Sequence, residues 1–198
     1  MKSIIIIEDH PVMRSGLAAF FTATGRWQVK GTASNLNEAK KIFANVSAGV
    51  VLLDIQLDDG WGLDIIPWLN ERLNQQLPVI AVYSTFDDYP HVSAALSLGV
   101  KAYVTKRRNE QELEAALLTA LSGSEYIDEA AQIKLKNVTE LVSLLTKRET
   151  EILTLAKNGL SNKQIAHDLG ISRRTVENIL SCIYNKTGIR SRLELERL

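Results

Sequence analysis

Cysteine is nearly absent: the 198 residues hold one, Cys182. That excludes an intramolecular disulfide and a cysteine-rich metal cluster, and it suits a reducing compartment. Long apolar stretches are missing at the N-terminus, where Met1 to Asp9 holds four consecutive isoleucines. Four residues are too few for a signal peptide or a membrane span, so a soluble cytoplasmic protein with no membrane partner is expected. Histidine is scarce at three residues. Neither His10 nor His91 has a second nitrogen at metal-ligand spacing, so both read as solvated neighbours with no assigned role. Net charge is absent overall, with 23 Lys/Arg against 23 Asp/Glu. It is not absent locally. Residues 1–144 carry 13 Lys/Arg against 17 Asp/Glu, and residues 145–198 carry 10 against 6. An acidic part is thus joined to a basic one that could meet a polyanion.

What is present supports one ordinary domain plus a small one, and an apolar fraction of 45% supplies a core. Residues 3–7, 27–32, 50–54, 78–83 and 102–104 read as strands, the third of them Val50-Val51-Leu52-Leu53 closed by Asp54. Continuous apolar runs of this length, bounded by turn residues, belong to strands buried on both faces. Helices fill the gaps. Pro11 suits a first turn, and Asn35 with Glu38 and Asn109 with Glu112 have the spacing of capping boxes. The expected fold is α/β, a doubly wound five-stranded parallel sheet.

Parallel strands put their carboxyl ends on one rim. Glu8 and Asp9 follow the first strand, Asp54 ends the third, Ser84 ends the fourth and Lys106 follows the fifth. Taken singly, each is an ordinary cap or loop charge. Together they are three carboxylates, each pair costing ~4 kcal/mol at ~4 Å and an effective dielectric near 20, so a counter-charge is required. A hard divalent ion such as Mg²⁺ takes oxygen ligands and few protein ones, and a lysine supplies a second positive charge. A carboxylate in that setting can attack phosphorus, the product's oxygens being neutralised by metal, Lys106 and Ser84.

Residues 1–121 resemble a response-regulator receiver domain, which is flavodoxin-like. The matching residues are Glu8-Asp9, Leu53-Asp54-Ile55, Asp59-Gly60, Ser84, Tyr103 and Lys106. The resemblance implies that Asp54 accepts a phosphoryl group from a partner sensor histidine kinase. It implies that Asp9, Asp54 and the backbone carbonyl of Gln56 hold Mg²⁺, with Glu8 acting through water. It further implies that Ser84 swings toward the phosphoryl group while Tyr103 turns inward. Two departures stand out. Gln56-Leu57-Asp58 lacks the proline usual in that turn, and Lys106 is followed by Arg107 rather than proline.

Residues 122–144 show mixed patterning and read as a linker with one short helix, its face formed by Val138, Leu141, Val142 and Leu145. Beyond it, Thr146 with Glu149, Ser161 with Gln164 and Ser191 with Glu194 mark helix starts. The result is a small all-α domain with helices near 147–158, 162–169, 173–187 and 192–198, the middle pair spaced as a helix-turn-helix. On the third helix, Val176, Ile179, Leu180 and Ile183 share one side, with Arg174, Glu177, Asn178, Ser181 and Asn185 opposite. The polar side suits base edges, and Lys163, Arg173 and Lys186 suit phosphates. Leu145 to Glu149, Gly159 to Ala166, Ile171 to Asn178 and Lys186 to Ile189 resemble the LuxR-type helix-turn-helix. The resemblance implies that Glu177, Asn178 and Ser181 are base-reading positions.

The whole chain resembles a response regulator of the NarL/FixJ class. The implied protein is not an enzyme beyond self-phosphorylation and self-dephosphorylation. It binds double-stranded DNA through residues 145–198, as a homodimer when active, under control of phosphorylation at Asp54. Two rivals remain at this stage: a regulator of the same build that ignores phosphorylation, and a phosphohydrolase with Asp54 as nucleophile.

Overall fold

A computed structural model describes residues 1–73, 77–143, 145–188 and 191–192. It has two compact units, residues 1–86 with 95–128 and residues 87–94 with 129–198.

The first unit is built on β1 (Lys2–Ile7), β2 (Trp27–Ala33), β3 (Val50–Leu53), the short pair β4 (Gln56–Leu57) and β5 (Gly60–Trp61), β6 (Val79–Ser84), β7 (Ala102–Thr105) and β8 (Tyr126–Ile127). The helices between them are α1 (Pro11–Ala23), α2 (Leu36–Phe43), α3 (Ile65–Arg72), α4 (Tyr89–Ser97), whose first turns fall in the second unit, and α5 (Glu110–Leu121). The main sheet runs β2-β1-β3-β6-β7-β8, every pairing parallel.

Both faces of this sheet are covered, which is why its strands lack a polar alternation. Ile4, Ile6, Val50, Leu52, Ala81, Tyr83, Ala102 and Val104 point into one core with Leu17 and Phe21 of α1 and Leu113, Ala116 and Leu117 of α5. Their neighbours Ile5, Ile7, Val51, Leu53, Ile80, Val82 and Tyr103 are equally buried on the other face. The edge strand β2 is pinned to α5 through Glu114, which accepts from Trp27 Nε1 at 2.7 Å and from Arg26 at 2.5 Å.

The sheet has six strands, not the five expected. Tyr126 and Ile127 pair with Ala102 and Tyr103, and the amides of Tyr126 and Asp128 donate to the carbonyls of Lys101 and Tyr103 at 2.9 and 2.8 Å. Two residues cannot display a period of two, so this strand leaves no pattern in the sequence. The segment expected as a linker with one short helix therefore contains a strand, followed by the 15-residue helix α6 (Glu129–Ser143). The side chains of Val138, Leu141 and Val142, expected on its inner face, lie outside the described residues.

The caps form largely as their spacing predicts. Asn109 and Glu112 bond reciprocally at the start of α5. At α2 only half of the box forms. Asn35 accepts from the Glu38 amide, but the Glu38 carboxylate reaches back to Ser34. Asp59, brought from 22 to 23 residues away, accepts from the Leu36 and Asn37 amides instead. It caps a helix to which it does not belong in sequence.

The second unit contains α6, α7 (Lys147–Lys157), α8 (Asn162–Asp168) and α9 (Arg173–Thr187). Thr146 with Glu149 and Ser161 with Gln164 form complete capping boxes, and Ser172 caps α9. Gly159, Gly170 and Gly188 end their helices at φ of 79°, 63° and 72°, a left-handed geometry that costs glycine little. The core is Ile152, Leu153, Ala156, Ile165, Ala166, Val176, Leu180 and Ile183. The final helix expected at 192–198 lies outside the described residues, apart from Arg192.

Candidate functional site

The register of the sheet brings the strand ends together. Ile7 lies beside Leu53, Leu53 beside Val82, and Ser84 beside Thr105. The residues one step further, Glu8, Asp54 and Lys106, consequently share a rim, and the Asp54 amide donates to the Ile7 carbonyl at 2.9 Å.

Lys106 is the hub. Its ammonium stands 2.6 Å from Asp54 Oδ2 and 2.7 Å from Glu8 Oε2, with all three side chains at most 10% exposed. Burial alone would lower the lysine pKa, but the hydrogen bonds and charges of Asp54 and Glu8 outweigh it, and the ammonium form is favoured. Glu8, Asp9, His10 and Asp54 offer oxygen and nitrogen atoms that all lie within 4.8 Å of one another. His10 Nδ1 is 2.7 Å from Asp9 Oδ1 and 3.1 Å from Glu8 Oε1. The hydrogen bond that the ring donates to Asp9 and then that carboxylate's charge, followed by those of Glu8, raise the His10 pKa. His10 carried no role in the sequence, and the fold makes it a neighbour of both acids.

Ser84 is wholly buried, and its Oγ has no hydrogen-bond partner among the described residues. A buried hydroxyl left in that state is costly unless a further group satisfies it. Tyr103 is fully buried in this structure, its hydroxyl donating to the Phe86 carbonyl at 2.9 Å. Gln56 opens a tight hairpin in which Asp58-Asp59 form the turn between β4 and β5. This hairpin replaces the proline turn. It returns the chain so closely that a Cβ on Gly62 would lie 2.0 Å from the Asp54 carbonyl oxygen. Nothing in the sequence pattern marks Gly62, because its constraint comes from a backbone atom eight positions away.

The polar face of α9 is largely as expected. Arg174, Asn178, Ser181 and Asn185 are exposed at helical spacings of four, three and four, and Lys163 is exposed on α8. Glu177 folds onto a neighbour, accepting from Arg173 Nε at 2.8 Å. Lys186, expected at phosphates, donates to both oxygens of Glu149 at 2.8 Å, tying α9 to α7. Cys182 is exposed.

No helix among the described residues is long and apolar enough to cross a membrane. Residues 4–118 match the response regulator receiver domain, and residues 143–198 match the luxR family of bacterial regulatory proteins. The transcriptional regulatory protein YdfI of Bacillus subtilis is 28% identical, across 98% of this chain and 93% of its own length. The oxygen regulatory protein NreC of Staphylococcus aureus is 29% identical, across 97% and 94%. In fold, the chain is similar to RcsB from Salmonella enterica serovar Typhimurium, solved bound to a promoter with the phosphomimetic BeF3⁻. There the TM-score is 0.73 at 21% identity, over 99% of this chain and 96% of the other. With a receiver domain followed by a LuxR-type DNA-binding domain, the chain belongs to the response regulators and is a phosphorylation-controlled, DNA-binding transcriptional regulator.

Proposed function

We propose that Asp54 is the phosphoryl acceptor and that residues 1–121 form the domain that carries it. The observation that supports this most is the Lys106 ammonium bridging Asp54 and Glu8 on the rim of the sheet. An Asp54 oxygen attacks the phosphorus of a phosphohistidine on a sensor kinase. The new P–O bond forms as the P–N bond breaks, leaving an acyl phosphate on Asp54, and the P–N electron pair stays on a ring protonated at its other nitrogen, which leaves as neutral imidazole. Lys106 follows the charge from the carboxylate onto a phosphoryl oxygen, and the orphaned Ser84 hydroxyl donates to another. An open groove of about 590 Å³ beside the site is lined by His10, Val12, Met13, Thr85, Lys106 and Glu110. Val12 is 87% exposed there and offers a kinase helix an apolar contact.

The three carboxylates converge as hard oxygen donors, which suits Mg²⁺. Asp9, Asp54 and the Gln56 carbonyl would hold it, with Glu8 reaching it through water. When bound, Mg²⁺ neutralises the phosphoryl oxygens. Self-phosphorylation from small phosphodonors and self-dephosphorylation by water use the same residues.

Residues 145–198 then act on double-stranded DNA as a homodimer. Asn178 and Ser181, with Arg174 and Asn185 beside them, face base edges in the major groove. Glu177 and Arg173 work as a pair, and Lys163 meets a phosphate. Intact mass after incubation with Mg²⁺ and acetyl phosphate tests the acceptor. The wild-type chain gains one phosphate and Asp54→Asn gains none. A phosphate on the Asn variant, or none on the wild type, contradicts the assignment.

A further inference from the structure

Arg14 lies in the first turns of α1, and its side chain is partly buried. A guanidinium ordinarily meets a carboxylate or a phosphate. This one is aimed at main chain: Nη1 donates to the carbonyl of Glu8 at 2.6 Å and to the carbonyl of Asp9 at 2.9 Å. These are consecutive carbonyls of the two acids that follow β1, past the last residue of the strand. On the amino side, Glu8 is held by its own amide, which donates to the Ala33 carbonyl at 3.0 Å. Two further main-chain anchors on the carbonyl side fix both peptide planes, and with them the directions in which the Glu8 and Asp9 side chains leave the backbone.

We propose that Arg14 is a positioning residue for the acidic pair, holding Glu8 and Asp9 so that their carboxylates converge on Asp54 and bind a divalent cation. The proposal rests on the reading of Glu8, Asp9 and Asp54 given above. Two features make it specific. Both bonds leave a single nitrogen, so a lysine ammonium of suitable reach can replace them. The electrostatic sign also separates positioning from simple charge. Deleting a cation beside three carboxylates would by itself strengthen divalent-ion binding. Loss of orientation weakens it, by about tenfold where groups that orient metal ligands have been removed.

The experiment titrates Mg²⁺ alone into the full chain by calorimetry, comparing wild type, Arg14→Met and Arg14→Lys, with thermal melts to report folding. Arg14→Met, which keeps an unbranched stem, is expected to bind Mg²⁺ about tenfold more weakly with its melt largely retained, and Arg14→Lys to stay within about threefold of wild type. At saturating Mg²⁺, Arg14→Met should reach the wild-type phosphate yield from acetyl phosphate, because its defect lies in binding. Equal or tighter Mg²⁺ binding by Arg14→Met overturns the proposal. If Arg14→Met does not fold, Arg14→Lys decides alone, and a loss there of more than about tenfold overturns it. A wild-type chain that binds no Mg²⁺ overturns the reading of the acidic cluster itself, a result distinct from unchanged binding in the variant.

Discussion

Lys106 neutralises two carboxylates at once, and its removal leaves Asp54 and Glu8 buried with no lysine between them. Breaking a buried pair on one side costs about 3 kcal/mol. Urea denaturation in a chelator should therefore show Lys106→Met less stable by about that amount, and Mg²⁺ should restore much of it. Gly62 is constrained differently. A methyl group there meets the Asp54 carbonyl oxygen at 2.0 Å, a backbone contact that cannot rotate away. Gly62→Ala should cost about 3 kcal/mol and lower the phosphate yield, since Asp54 moves with its own peptide; wild-type stability in that variant would mean the hairpin yields freely. These residues also mark what the sequence could tell. Glu8, Asp9, Asp54, Ser84 and Lys106 were legible because each ends or follows an apolar strand. Arg14, Asp59 and Gly62 were not, because each acts on a backbone atom, and residue types reveal nothing about which carbonyl or amide the fold delivers.

Among the elements, β8 is the least visible in sequence and is firmly tied. Asp128, 1% exposed, accepts from the Thr105 hydroxyl at 2.7 Å and from Arg108 Nε and Nη2 at 3.0 Å each. The hydrogen bonds and charge of Asp128 hold Arg108 well above its ordinary pKa. This clamp joins the strand to the turn that follows Lys106. Asp128→Ala should release it, seen as hydrogen exchange at the amides of residues 126 and 128, corrected for intrinsic exchange, at least about tenfold faster than in wild type. The tie between α7 and α9 depends on pH. The Lys186 hydrogen bond, then that of the Thr146 amide, lowers the Glu149 pKa below its ordinary 4.5. Its stabilising contribution is thus complete above pH 4.5 and lost as pH falls through the depressed value. Protection of the α7 and α9 amides, corrected for intrinsic exchange, should drop in that range, and Glu149→Gln should flatten the drop. The starts of α5, α7 and α8 were legible because caps are local, whereas the Lys186–Glu149 pairing joins residues 37 positions apart and leaves no local signal.

At the scale of the whole molecule, a receiver domain is followed by a LuxR-type DNA-binding domain, in line with the acidic and basic parts that the charge asymmetry about residue 144 suggested. Lys163 should contribute to affinity without regard to sequence. Lys163→Ala should weaken specific and random duplexes alike and reduce the slope of log K against log salt by about 1, whereas Asn178→Ala should weaken the specific site by about 1–3 kcal/mol and relax its sequence preference. The most direct test of the account is DNA affinity at fixed salt for the wild type and Asp54→Asn, each with and without acetyl phosphate and Mg²⁺. The account predicts that the phosphodonor tightens wild-type binding by about tenfold, a coupling of ~1.4 kcal/mol, and leaves Asp54→Asn unchanged. An equal response in Asp54→Asn, or a wild-type chain that takes up its phosphate with no change in affinity, would contradict it.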